Sequence, residues 1–118
     1  MKKILVVDDN ENIRVILKQM LEDGGYAVQT AKGGEEALET MKTKRFDMLI
    51  ADINMPGMTG FELLEKSKRA YPQIPVIFVT AYRKDKNLVR SVNIGLSDYI
   101  EKPFKMDEVL RIIKEHIA

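Results

Sequence analysis

The chain has no cysteine and a single histidine among its 118 residues, and its formal net charge is only +1. Without cysteine there is no disulfide, no thiolate metal site and no Cys nucleophile, a composition compatible with a reducing compartment. The one histidine, His116, falls in the last turn of the final helical stretch, where it serves as a favourable terminal charge rather than as a ligand or base. Nineteen Lys and Arg offset eighteen Asp and Glu, which argues against a general attraction to nucleic acid or to an anionic membrane. No run approaches the ~20 apolar residues of a membrane span. The opening MKKILVVDD is basic and then apolar, but Asp8 and Asp9 cut it off well below signal-peptide length. No repeat, low-complexity tract or linker divides the chain. Residues 1–118 are therefore read as one domain with no effector domain, burying roughly two-thirds of its unfolded surface. The cytoplasm is the default compartment.

What is present is a regular alternation of short apolar runs and longer amphipathic stretches. ILVV at residues 4–7 has no polar interruption and suits a parallel strand covered on both faces. From Asn10, residues Ile13, Leu17, Met20 and Leu21 recur at helical spacing until Gly24 and Gly25. A second strand is expected over Tyr26–Thr30, and a second helix after Gly33 and Gly34 with Ala37, Leu38 and Met41 inward. Asp47–Ala51 forms the third strand. A third helix, with Phe61, Leu64 and Ser67 or Lys68 inward, must end before Pro72. VIFV at 76–79 is the fourth strand, Lys84–Asn93 the fourth helix, Asp98–Glu101 the fifth strand, and Val109, Leu110, Ile113 and Ile117 mark the last helix. Five strands alternating with five helices predict an α/β domain of flavodoxin-like (βα)5 type, a doubly wound parallel sheet in the order 2-1-3-4-5. In that order strands 1 and 3 are neighbours, and their C-terminal ends form the switch point where ligands bind.

Polar residues follow four of these strands: Asp8 and Asp9, Asp52, Thr80 and Lys102. A nucleotide-binding relative would place a Gly-rich phosphate loop after strand 1, whereas this chain has Asp-Asp-Asn. Taken alone, Asp8 and Asp9 would serve equally as a helix cap and a solvated charge, and Asp52 as a turn residue. Brought to one edge, three carboxylates make a hard oxygen site suited to Mg²⁺, and a phosphoryl group there requires a cation between. A carboxylate can itself attack phosphorus to form an acyl phosphate. Lys102 would supply a point charge and Thr80 a hydroxyl donor; the isomer of the Lys102–Pro103 bond is left open.

The ordered set V-D-D after strand 1, D-x-x-M-P-G-M-x-G from Asp52, T-A at Thr80, and D-Y-I-x-K-P-F from Asp98 resembles the response regulator receiver domains of two-component signalling, over the whole length of the chain. Each motif alone is weak; their order is specific. The resemblance implies a single-domain phosphoacceptor that catalyses only its own phosphorylation and dephosphorylation. Asp52 would accept a phosphoryl group from a phosphohistidine of a sensor histidine kinase or histidine phosphotransfer protein. Asp8, Asp9, Asp52 and the backbone carbonyl of Asn54 would hold Mg²⁺, with Mn²⁺ as an alternative ion. Lys102 would contact the phosphoryl group, Thr80 would move toward it, and Tyr99 would reorient with Thr80. Asn54, Ala81, Tyr82 and Pro103 would line the phosphate pocket, with Asn54 and Tyr82 influencing how fast water reaches the acyl phosphate.

The surface of helix 4, strand 5 and helix 5 would then carry the signal to a downstream target. Lys84, Lys86, Arg90, Lys105 and Arg111 fall there, as a solvated set of helix charges or, alternatively, as a surface suited to an acidic partner. Leu96 after Gly95, and the bulky Leu88, Val89 and Val92, depart from the family's usual small residues on that surface. On helix 1, Arg14, Val15 and Lys18 lie off the core stripe, with Val15 a candidate contact for the phosphodonor. No direct nucleic acid or membrane partner is expected, and the chain is read as a monomer or weak homodimer. Two alternatives stand beside this reading. One is the receiver of a longer DNA-binding regulator or hybrid kinase. The other is a phosphatase of the haloacid dehalogenase type, whose D-x-D motif is broken here by Asn54.

Overall fold

The computed structural model describes residues 1–81 and 86–117, with the side chains of residues 86–89 left aside. Five strands and five helices alternate: β1 (Lys3–Val7), α1 (Glu11–Asp23), β2 (Ala27–Ala31), α2 (Gly34–Thr43), β3 (Met48–Asp52), α3 (Gly60–Ala70), β4 (Val76–Thr80), α4 (Lys86–Ile94), β5 (Asp98–Glu101) and α5 (Met106–His116). All neighbouring strands are parallel, in the expected order β2-β1-β3-β4-β5.

Strand residues alternate between two cores. Leu5, Val7, Leu49, Ala51 and Phe78 meet α2 and α3 through Ala37, Met41, Leu63 and Leu64. Ile4, Val6, Met48, Ile50, Ile77 and Val79 meet α1 and α5 through Leu17, Leu21, Val109, Ile112 and Ile113. Burial on both faces explains why β1, β3 and β4 read as unbroken apolar runs. The second strand begins one residue later than the sequence pattern suggests, because the Ala27 N–H joins the sheet through Lys2 O at 2.9 Å while the Tyr26 N–H closes the end of α1 on Leu21 O. The third strand is likewise shifted by one: the side chain of Asp47 accepts from Lys3 N at 2.8 Å and finishes the edge, and Asp52 ends the strand.

The helices are bounded by local chemistry. Thr59 and Glu62 form a capping box on α3, and the α3 end at Ala70 precedes Pro72 as expected. On α3 and α5 the inner faces are wider than predicted, since Leu63 and Ile112 are also buried and Leu110 is only half-buried. Leu110 packs where a Cβ on Gly24 would sit, which ties α5 to the end of α1. The fourth helix begins at Lys86; the predicted Lys84 start lies outside the described residues.

Candidate functional site

The strand order brings the ends of β1 and β3 together, since Val7 pairs with Ala51 in register. Asp8 therefore leaves β1 beside Asp52, the last residue of β3. Carboxylate oxygens of Asp8, Asp9 and Asp52 all lie within 4.8 Å of one another. Neither Asp8 nor Asp9 caps the following helix. That role falls to Asn10, whose side chain accepts from the N–H groups of Asn12 at 2.9 Å and Ile13 at 3.3 Å. The two acids are thus released from the structural duty that most simply explains them.

Asp8 is only 1% exposed, and its environment is specific. Its N–H donates to Ala31 O at 3.2 Å, its carbonyl accepts from Arg14 Nη1 at 2.6 Å, and its Oδ1 accepts from Asn10 N at 2.9 Å. Its Oδ2 is buried with no hydrogen-bond partner among the described residues. An orphaned buried carboxylate oxygen costs free energy that a bound cation would offset. Burial is the main influence on Asp8 and raises its pKa; Asn10 N–H and Lys102 oppose the rise, while Asp52 and Asp9 add to it. Asp52 is raised for the same leading reason, with Lys102 and the Asn54 and Ile53 amides opposing and Asp9 adding. Three close like charges, of which Asp8 is buried, Asp52 half-buried and Asp9 exposed, form a hard-oxygen donor set that, with one unused buried oxygen, fits a divalent cation of the Mg²⁺ type.

The remaining predicted residues surround this cluster to different degrees. Asn54 is exposed, and its N–H donates to Asp52 Oδ1 at 3.3 Å. The loop it opens is pinned by buried Ile53 and Met55, by the left-handed Gly57 (φ 75°), and by Met58 seated against Gly34 of α2. Thr80 ends β4, is buried, and its carbonyl accepts from Lys102 N at 2.8 Å. Lys102 follows β5, is half-buried, and the Lys102–Pro103 peptide is cis. Its positive charge opposes the upward pKa shift of both Asp8 and Asp52. Ala81 and Pro103 are exposed at the same edge; Tyr82 lies outside the described residues. Tyr99 pairs in register with Phe78 and packs, half-buried, against the α2–α3 core. A cavity of about 670 Å³, lined by residues such as Met41, Arg45, Phe46 and Tyr71, lies around the start of β3, at the other end of the strand from the acids.

Residues 4–114 match the family profile described as the response regulator receiver domain. The chain belongs to the response regulator receiver family. Among solved structures, this receiver is similar to the chemotaxis protein CheY4 of Vibrio cholerae, with 34% identity and a TM-score of 0.95 over 99% of each chain. It is also similar to the response regulator protein TrrA of Thermotoga maritima, solved in complex with Mg²⁺ and BeF, with 37% identity and a TM-score of 0.90 over 99% of this chain and 100% of that one. The DNA-binding transcriptional regulator NtrC of Escherichia coli (strain K12) is 37% identical over 115 residues, 98% of this chain and 24% of NtrC. The receiver thus spans about a quarter of the length of NtrC.

Two features of the receiver differ from the sequence expectation. Arg14, placed off the core stripe, is half-buried and folds back onto the Asp8 carbonyl. The signal for this was available: helical side chains lean toward the N-terminus, so a long side chain one turn beyond the Asn10 cap reaches over the end of β1. The surface around α4, β5 and α5 is also not uniformly basic. Arg90 lies over the Phe61 ring, 4.5 Å from its centroid, and Arg111 pairs with Glu115 at 2.9 Å. Asp98, Glu101, Glu108 and Glu115 share a concavity with Arg111 there, and His116 meets Asp98 at 3.0 Å. Lys105 is exposed as predicted; Lys84 and the side chains of Lys86, Leu88 and Val89 lie outside the described residues.

Proposed function

We propose that this receiver accepts a phosphoryl group on Asp52 from a phosphohistidine of a sensor histidine kinase or phosphotransfer protein, and relays the signal through a change of surface. The observation that carries the reading is the cluster of Asp8, Asp9 and Asp52 at the β1/β3 switch point, with the buried Oδ2 of Asp8 left without a partner among the described residues. The Mg²⁺ and BeF bound by TrrA, similar to this chain over nearly its whole length, support the same assignment.

In this reading Asp8, Asp9, Asp52 and the Asn54 carbonyl hold Mg²⁺, for which Mn²⁺ can substitute. When bound, the cation supplies positive charge to neutralise the carboxylates and the phosphoryl oxygens. Asp52, ionised, attacks phosphorus; the P–O bond forms as the P–N bond to the donor imidazole breaks, and the released imidazole nitrogen takes up a proton. Little covalent chemistry is asked of the protein beyond this, so placement of charge and donors decides the rate. Lys102 meets the equatorial oxygens as a point charge, and the Thr80 hydroxyl donates to one of them. Hydrolysis by water later returns Asp52 to the carboxylate, at a rate that Asn54 and Tyr82 tune.

The product places about −1.5 to −2 charges at one strand end. Movement of Thr80 toward that charge draws on the end of β4, and Tyr99 on the adjoining strand follows. The surface of α4, β5 and α5 then changes for a downstream target. The protein is a cytoplasmic signalling domain, monomeric or a weak homodimer, without direct contact to nucleic acid or membrane. The family's chemistry is self-directed rather than turnover of external phosphate esters, and the Asn54 side chain in place of a second acid accords with that. Incubation with acetyl phosphate and Mg²⁺ followed by intact mass tests the reading. A phosphoryl adduct on the wild type that is absent from Asp52→Asn is expected; an adduct that persists in Asp52→Asn would sink it.

A further inference from the structure

Asp8 is held by three different elements, and one of the three holds is unusual. The Ala31 carbonyl on its N–H continues the β1–β2 ladder, and the Asn10 amide on its Oδ1 belongs to the turn itself. The third comes from a charged side chain six residues on: Arg14 Nη1 to Asp8 O, at 2.6 Å and partly buried. A guanidinium stays charged at any accessible pH, and a hydrogen bond from it to a carbonyl is among the stronger kinds. Because α1 is capped by Asn10, the helix start is fixed, and so is the origin from which Arg14 reaches back.

These three holds occupy the N–H, the carbonyl and Oδ1, and leave Oδ2 as the one acceptor of Asp8 without a protein donor among the described residues. We propose that Arg14 is a positioning residue for the acidic cluster: by holding the Asp8 carbonyl it fixes the turn from β1 into α1, so that Oδ2 of Asp8 and the carboxylate of Asp9 face Asp52 before any cation arrives. This rests on the reading of the cluster as a divalent cation site. The charge of Arg14 works against that role, since a cation beside a cation site repels its occupant. Any gain from Arg14 in cation affinity must therefore be geometric, and the sign of the effect separates the two contributions.

The test compares the wild-type chain with Arg14→Met, which keeps an unbranched stem without the guanidinium, and Arg14→Lys, which keeps the charge without the fork. Lys18→Met, an exposed cation one turn further along α1, is the control. Mn²⁺ affinity is read by electron paramagnetic resonance, and amide exchange of Asn10 is read in the metal-free protein. Expected is roughly tenfold weaker Mn²⁺ binding in Arg14→Met, the scale seen when an outer partner of a metal ligand is removed. Partial recovery in Arg14→Lys and no change in Lys18→Met should accompany it. The Asn10 amide, which donates to Asp8 Oδ1, should exchange faster in Arg14→Met. Unchanged or tighter Mn²⁺ binding in a folded Arg14→Met protein would overturn the proposal, and so would unchanged exchange at Asn10. Should the wild type bind no Mn²⁺, the cation-site reading fails, while the Asn10 comparison still decides whether Arg14 holds the turn.

Discussion

Gly60, the first residue of α3, is packed so closely under the end of β3 that a Cβ at that position would run into the carbonyl oxygen of Asp52. The same Cβ would lie 2.8 Å from Ile53 Cα, and the Gly60 N–H donates to Ile53 O at 2.8 Å. The obstacle is backbone, which cannot swing aside as the tip of a side chain can. Helix α3 and the strand bearing Asp52 are thereby locked to each other through a residue with no side chain.

Gly60→Ala is accordingly expected to destabilise the domain by about 1–3 kcal/mol, the range for overpacking. It should reduce phosphorylation by more than the loss of folded protein explains, because the residue displaced is Asp52 itself. Urea unfolding and acetyl phosphate labelling at matched folded fraction measure the two effects. Gly34→Ala makes a useful contrast, since there the atoms met first are the flexible end of Met58. A smaller effect is expected.

The raised pKa values of Asp8 and Asp52 predict the pH dependence of the metal-free protein. Burial lifts both above 3.8, so between the unfolded value and the folded one the native state binds more protons than the unfolded state. Stability contributed by these groups therefore falls as pH rises through that window and stays low at neutral pH. Asp52→Asn removes one of the charges, and at neutral pH without metal it should be the more stable protein. Mg²⁺ should stabilise the wild type more than the variant. Thermal melts from pH 4 to 8, with and without Mg²⁺, give the comparison; a less stable Asp52→Asn protein would contradict it.

Lys102 is expected to matter for chemistry more than for folding. It is half-buried, and its charge opposes the upward shift of both Asp8 and Asp52. Lys102→Ala should slow formation of the phosphoryl adduct by roughly 10²–10³-fold, the range for loss of one preorganised charge-stabilising group. Mg²⁺ binding should tighten slightly, since a competing cation has been removed. Adduct formation at the wild-type rate would show that Lys102 stands outside the reaction.

Removing the Asn10 cap separates helix start from site. Asn10→Ala deletes acceptors for Asn12 N and Ile13 N and should lower stability by about 1 kcal/mol. The Asn10 N–H that meets Asp8 Oδ1 is retained in the variant. Equilibrium unfolding together with Mn²⁺ affinity should therefore show a stability loss larger than any loss of binding.

Much of this arrangement was legible in the sequence because the sheet is buried on both faces. ILVV and VIFV carry no polar residue and read as strands, and their order follows from the alternation with helices and the handedness of crossovers. The acids, Thr80 and Lys102 were legible because each stands directly after such a run, or closes it. What periodicity does not encode is reach. Arg14 falls off the core stripe of α1, yet its length and backward tilt carry it to Asp8. Arg90 reads as a surface charge, but Phe61 on a different helix supplies a ring beneath it. Leu63 and Ile112 were missed because each helix wraps a wider arc of the sheet than its most regular stripe suggests.

Asp52, in the company of Asp8 and Asp9, is proposed to carry the phosphoryl group, and an acyl phosphate there is open to chemical capture. Borohydride reduction of the protein after treatment with acetyl phosphate and Mg²⁺ converts an aspartyl phosphate to homoserine, and peptide mass spectrometry locates it. Homoserine at position 52, dependent on Mg²⁺ and lost in Asp8→Asn, is the predicted result. Homoserine at another aspartate, or none under conditions that give an intact-mass adduct, would rule out Asp52 as the phosphoryl carrier.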